Sequence, residues 1–141
     1  MKLLVIDGQG GGLGRSLIES LLQAPELATA EIIAVGTNSI ATSAMLKAGA
    51  TAAATGENAI IYNSAYADII LGAIGIAFAN SMHGEISPAM ATAVSGSNAL
   101  KVLIPIAKCN AQVAGLLDKP MATYISDAVA LVVSHYESKQ H

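Results

Sequence analysis

The chain has 141 residues and a mass of 14.2 kDa, about the length of one domain. Hydrophobic residues make up 53% of it and charged residues 12%, which excludes a disordered chain because disorder requires low hydrophobicity and high charge. Seven Lys and Arg residues stand against ten Asp and Glu residues, a net charge of −3. This balance argues against nucleic acid as a partner, since phosphate backbones are bound by basic patches.

Composition also limits the cellular setting and the assembly. The single Cys cannot form a disulfide framework or an all-Cys zinc site. The most apolar run, residues 69–79, is far shorter than the roughly 20 residues that span a bilayer, and the N-terminus does not match a signal peptide. We therefore expect one cytoplasmic domain over residues 1–141, without a membrane partner. Its low charge fraction predicts a homo-oligomer, in which a second subunit covers apolar surface.

Two strand–helix units are predicted in the first 50 residues. Residues 2–6 are continuously apolar, as in a parallel strand buried on both faces. A glycine cluster follows, then leucines at helical spacing that end before Pro25. Residues 31–35 predict a second strand, followed by a helix over residues 40–48 with Asn38 or Ser39 as its N-cap and Gly49 just past its end.

The rest of the chain continues the alternation less clearly. Residues 50–54 and 59–63 are ambiguous, whereas residues 68–71 and 101–106 predict strands. Ser87 and Pro88 are typical of a helix N-cap and first helical position, and Pro120 opens a last amphipathic helix. Together these elements predict a three-layer α/β fold, Rossmann-like or flavodoxin-like, with a mostly parallel sheet of about five strands.

The loop after the first strand holds five of the thirteen glycines within seven positions, residues 8–14. Glycine lets backbone amides turn toward a phosphate, and the following helix adds the partial positive charge of its N-terminus. The spacing departs from the dinucleotide fingerprint, because Leu13 stands where the third glycine is expected. Arg15 replaces the lysine of a nucleotide-hydrolysing loop, which disfavours hydrolysis. We predict a phosphate site made by Gly8, Gln9, Gly10, Gly11, Gly12, Leu13 and Gly14.

The end of the second strand bears on which nucleotide is bound. NAD-binding folds place an acid there to hold ribose hydroxyls, whereas this chain has the neutral residues Thr37, Asn38 and Ser39. This favours a phosphate ligand such as FMN over NAD. NADP is the second candidate, weakened because no Arg follows to pair its 2′-phosphate.

Further polar residues occur where strands are expected to end, and open α/β sheets bind ligands at that edge. No Lys or Arg lies between Lys47 and Lys101. A neutral, amide-rich site suits a polar ring or a carboxamide, although a single Asn more often serves a turn or a cap. The candidates for ligand contacts at this edge are Asn80, Ser81 and, for substrate, Glu57, Asn58 and Glu85.

Catalytic and metal-binding residues are harder to assign. Cys109 is a candidate nucleophile, but a buried Cys is commonly a small hydrophobic residue, and only Lys108 is at hand to lower its pKa. His83 and Glu85 lack a third ligand at metal spacing, so no metal site is predicted. Asn110 follows Cys109 at the end of the predicted strand.

Nearly the whole chain resembles a small bacterial family of uncharacterised proteins. The resemblance rests on IDGQGGGLG at residues 6–14, GTNSIATSAMLKAGA at 36–50, ATGENAI at 54–60 and ANSMHGEISPAMA at 79–91. It implies no known activity.

Residues 68–110 are similar to the core of the homo-oligomeric flavin-containing cysteine decarboxylase superfamily. The matching pieces are Ala79-Asn80-Ser81, Gly84, the helix after Ser87, Pro105 and Asn110, with Cys109 where that family has Met. This resemblance implies FMN beside Asn80 and Ser81, with its phosphate near the glycine loop and Thr37 or Ser39. It also implies that Asn110 lies next to the reacting substrate.

Two classes of function stay open from the sequence. One is a nucleotide-cofactor protein, with FMN favoured over NADP, that includes flavin-dependent enzymes. The other is a non-catalytic sensor or regulatory module for a small phosphorylated metabolite, which is consistent with the lack of a recognisable His–Asp, Cys–His or two-carboxylate arrangement.

Overall fold

A computed structural model describes residues 1–106 and 110–140. Strands and helices alternate along it, with short 3₁₀ turns at Pro25–Leu27 and Ile74–Ala77. The strands are β1 Lys2–Asp7, β2 Glu31–Gly36, β3 Ala52–Thr55, β4 Ile69–Ala73 and β5 Leu100–Ile104. The helices are α1 Gly12–Leu22, α2 Ser39–Ala48, α3 Glu57–Tyr66, α4 Pro88–Ser95 and α5 Met121–Lys139.

The five strands form one parallel sheet in the order β3-β2-β1-β4-β5. Helices α1, α2 and α5 pack together on one face, and α3 packs with α4 on the other. The predicted three-layer α/β fold with a mostly parallel sheet is confirmed. The chain order reverses direction across the sheet between β1 and β4, so this pair forms the topological switch point where such sheets open a crevice.

The central strand β1 explains why its sequence shows no alternation. Its residues from Leu3 to Asp7 are all buried. Leu3 and Val5 belong to the core under α1 and α5, whereas Leu4 and Ile6 belong to the core under α3 and α4. Both faces of the strand are therefore covered, which requires apolar side chains at successive positions.

Helix ends follow the predicted capping signals. Asn38, not Ser39, caps α2, because its Oδ1 accepts a hydrogen bond from the Ala41 amide at 2.9 Å. Gly49 ends the same helix with φ 118°, a left-handed conformation that favours glycine. Ser87 caps α4 and Pro88 is its first residue. The described residues contain no helix that is both long and apolar enough to cross a membrane.

Candidate functional site

A cleft opens at the switch point, where the glycine loop after β1 faces the segment after β4. It encloses about 210 Å³, less than the roughly 300–1,000 Å³ of typical small-molecule sites. A nucleotide bound here would therefore extend beyond the rim. The cleft is lined by the loop from Asp7 to Leu13, by Ala73 and Gly75 after β4, and by Ser81, Met82 and Ile106.

Three of the loop glycines are required by the fold itself. Gly11 has φ 76°, and a Cβ there would lie 2.8 Å from the Cα of Ala41. A Cβ at Gly14 would meet the Sδ of Met45 at 2.5 Å, because α1 and α2 approach closely at this point. At Gly8 it would lie 2.8 Å from the Oγ1 of Thr37. These glycines are explained without a ligand.

The fold does not require glycine at position 10 or position 12. A Cβ at either position meets no atom within 4 Å, and neither residue has the positive φ that favours glycine. Both are exposed and line the cleft. Within the described residues, neither backbone N–H donates a hydrogen bond. Their amides, at the start of α1, are free to bind an anion at the positive end of the helix dipole.

A buried carboxylate, Asp7, organises the inner side of the loop. It is 7% exposed, and its two oxygens accept hydrogen bonds from the amides of Gly8 at 2.8 Å and Gly14 at 2.7 Å. Burial raises the pKa of Asp7, with a smaller contribution from the negative charge of Glu85, although the amides of Gly14 and Gly8 oppose this. Asp7 thus fixes the path of the loop and uses the amides on its inner side.

A second carboxylate, Glu85, reaches the glycine loop from the segment between β4 and α4. The amide of Gln9 donates to both of its oxygens at 3.1 Å, and the Nδ2 of Asn38 donates to Oε2 at 3.0 Å. The hydroxyl of Thr37 donates to the same oxygen. Burial alone would raise the pKa of Glu85, but the bonds from Thr37, Gln9 and Asn38 outweigh it and lower the pKa.

The segment that carries Glu85 turns sharply. Asn80, Met82 and His83 adopt φ values of 66°, 56° and 55°, a left-handed conformation that is costly for residues with a Cβ. Ile86 is fully buried, and the Ser81 hydroxyl donates to the carbonyl of Gly75. These contacts hold the strained segment against the end of β4.

The structure brings only some of the predicted site residues together. Gly8 to Leu13 and Ser81 line the cleft, and Thr37, Asn38 and Glu85 meet around Gln9. The others are exposed and do not line this cleft: Ser39, Glu57, Asn58, Asn80 and Asn110.

Glu57 and Asn80 make hydrogen bonds away from the cleft, and Gly14 is packed inside the fold. Glu57 accepts a hydrogen bond from the Ser87 hydroxyl, and the amide of Asn80 donates to the Ile86 carbonyl at 2.7 Å. Gly14 is buried against Met45. Cys109 lies outside the described residues.

Sequence reasoning missed the cleft residues outside the glycine loop that have no polar side chain, and it missed Asp7. Gly75, Met82 and Ile106 come from segments that the sequence separates by as many as 98 residues from Gly8. For Asp7 a signal was present, since an acid directly at the end of a buried strand is exceptional unless paired. No group of three or more His, Cys, Asp or Glu suited to a metal ion occurs among residues 1–106 and 110–140.

A family model matches residues 2–137 of the chain. The chain belongs to DUF3842, a domain of unknown function. Membership confirms the predicted resemblance to an uncharacterised family. No curated protein matches the chain.

Among solved structures, this DUF3842 chain is similar to a dodecameric FMN-dependent UbiX-like decarboxylase from Escherichia coli O157:H7. The two are 15% identical, with a TM-score of 0.44, over 97% of this chain and 94% of that one.

Proposed function

We propose that this DUF3842 chain binds a phosphorylated small molecule in the switch-point cleft, with FMN as the favoured ligand and NADP as the second. The observation that carries the proposal is the pair Gly10 and Gly12. Both lack a side chain where the fold would accept one, both line the cleft, and among the described residues neither amide donates a hydrogen bond. A phosphate approaching these amides would need the space that a Cβ would fill.

The surroundings of the glycine loop favour a ligand with one phosphate and an apolar ring. Leu13, Met82 and Ile106 give the cleft apolar walls. Among its described lining residues there is no Lys or Arg, so binding relies on amides and the helix N-terminus. A second phosphate would find no cation among these described residues, which favours FMN over NADP. When bound, FMN would supply the redox or electron-accepting chemistry of its flavin ring.

The alternative, a non-catalytic sensor of a phosphorylated metabolite, has one observation in its favour. Both carboxylates beside the cleft, Asp7 and Glu85, are held as acceptors by neighbouring amide or hydroxyl donors. Groups held in this way are suited to shaping a binding site. A colourless protein that is stabilised by phosphorylated metabolites, but not by FMN or NADP, would favour the sensor.

Comparison of FMN with riboflavin tests the phosphate-binding proposal. The two ligands share the ring and the ribityl chain and differ in the phosphate, so the ratio of their dissociation constants isolates the glycine loop. We expect FMN to bind at least about 100-fold more tightly by calorimetry, from two charge-assisted hydrogen bonds of roughly 1.5–3 kcal/mol each. Equal affinities would contradict phosphate binding by the loop.

We also propose that the chain is a homo-oligomer. Large apolar side chains are exposed on α2 and α3, with Ile40 70% exposed and Tyr62 and Tyr66 about 60%. Strand β3, at the edge of the sheet, lies beside these helices. A second copy of the chain would cover this surface.

A further inference from the structure

The carboxylate of Glu85 lies beside the end of β2, the place at which nucleotide-binding sheets carry an acid. In that arrangement an acid at the end of the second strand accepts hydrogen bonds from a ribose diol. The end of β2 has no acid of its own in this chain. Glu85, 48 residues beyond Thr37 in sequence, contacts Thr37 and Asn38 directly after β2.

The carboxylate of Glu85 can accept a further hydrogen bond from a ligand. Its Oε2 accepts from Thr37, Asn38 and Gln9, whereas its Oε1 accepts only from the Gln9 amide among the described residues. A carboxylate oxygen can accept about two hydrogen bonds. The residue is half-buried, next to the loop position that precedes Gly10. The nearby titratable groups that act on it are Asp7 and His83.

The backbone that delivers Glu85 is strained in a specific way. Met82 and His83 are consecutive left-handed residues, and Gly84 follows with φ 89°. This turn reverses the chain, while Met82 within it and Ile86 after it stay buried. Strain of this kind persists where the surrounding structure imposes it, often at ligand sites.

We propose that Glu85 is the specificity-determining residue of the cleft, accepting hydrogen bonds from hydroxyl groups that neighbour the ligand's phosphate. This assignment rests on the proposed function and names the ligand class as phosphate esters of a sugar or sugar alcohol. The negative charge of Glu85 also opposes a second phosphate at this position.

The test compares FMN with its 2′-, 3′- and 4′-deoxyribityl analogues, by calorimetry, on the parent and Glu85→Gln. In the parent we expect at least one deoxy analogue to bind about tenfold more weakly than FMN, because it lacks the hydroxyl that donates to Glu85. In Glu85→Gln this ratio falls below about threefold, because the charge-assisted bond is lost. Glu26→Gln, an exposed site on the first 3₁₀ turn, removes the same charge elsewhere and keeps the parent ratio.

Three other results are possible, and each decides whether Glu85 or phosphate binding is at fault. If FMN binds but the ratio is the same in the parent and in Glu85→Gln, the role of Glu85 is overturned and phosphate binding stands. Equally tighter binding of FMN and all its analogues to Glu85→Gln also overturns it, because Glu85 would then act only by repelling phosphate. If FMN fails to bind the parent, both the proposed function and the role of Glu85 fall.

Discussion

Asn38 connects the glycine loop, α2 and Glu85 through one side chain. Its Oδ1 caps α2, while its Nδ2 donates to the Gln9 carbonyl at 2.9 Å and to Glu85. We expect Asn38→Ala to lower the free energy of unfolding by about 1–2 kcal/mol, mostly through the lost cap. Asn38→Ser keeps a capping oxygen and should recover most of this in urea unfolding. Equal losses in both variants would show that the bonds to Gln9 and Glu85 matter more than the cap.

The lowered pKa of Glu85 predicts that its contribution to stability is lost at acid pH. The pKa of Glu85 is lowered in the folded chain, so its stabilisation is present above the ordinary value of 4.5 and is lost as the pH falls through the lowered value. The difference in Tm between the parent and Glu85→Gln should therefore be largest above pH 4.5 and shrink at lower pH. A difference that is constant from pH 7 to pH 3 would contradict this.

The carboxylates of Asp7 and Glu85 should influence each other's titration. The charge of Glu85 contributes to the raised pKa of Asp7, so Glu85→Gln should lower the pKa of Asp7. Carboxyl-carbon NMR titration measures this directly. An unchanged Asp7 pKa would show that burial alone accounts for the shift.

The contacts of individual residues could be predicted only in part from the sequence. The cap at residues 38 or 39 and the turn of the glycine loop follow from local patterns, since capping and glycine-rich turns depend on neighbouring residues. The meeting of Glu85 with Thr37 depends on the left-handed turn at Met82 and His83, which the sequence indicates only weakly, through the preferences of His83 and Gly84. Position in three dimensions, rather than residue type, brings Glu85 to the glycine loop.

At the scale of elements, the close approach of α1 to α2 depends on Gly14. A Cβ there would lie 2.5 Å from the Sδ and 2.9 Å from the Cγ of Met45, which is fully buried. We expect Gly14→Ala to cost about 1–3 kcal/mol of unfolding free energy by overpacking. In a Met45→Ala background the added cost should be smaller, because the Sδ and Cγ of Met45 are removed and only the contact with the Cβ of Asp7 at 3.0 Å remains. Strict additivity in this double-mutant cycle would contradict the packing explanation.

Elements with strong patterns were predicted well, and weak ones were not. Strand β1 and helices α2 and α4 follow from apolar runs and caps. Strand β3 and helix α3 remained ambiguous, because β3 is a short alanine-rich edge strand and α3 shows little segregation of apolar residues. Strand β3 pairs with β2, and α3 packs against α4. These contacts join residues that are far apart in the sequence, so local patterns do not predict them. Strand β5 ends at Ile104 rather than at residue 106, just before Pro105, which has no N–H for a ladder bond.

For the whole molecule, the exposed apolar surface of α2 and α3 predicts self-association. Light scattering at micromolar concentration should give a mass that is a multiple of 14.2 kDa. Tyr62→Lys or Ile40→Lys should reduce the mass if the substituted residue is covered by the second copy, because a charge is costly to bury in an apolar contact. A monomer of 14.2 kDa in the parent would contradict the prediction.

The proposed phosphate site depends on the room that Gly10 and Gly12 leave. The most direct measurement is the affinity for FMN of Gly10→Ala and Gly12→Ala, with Tm measured on the same samples. The new Cβ meets nothing in the chain, so we expect Tm to be unchanged or slightly raised and affinity to fall at least about tenfold. Ser126→Ala, exposed on α5, is the control that keeps both values. Parent-like FMN affinity in both glycine variants would contradict the account.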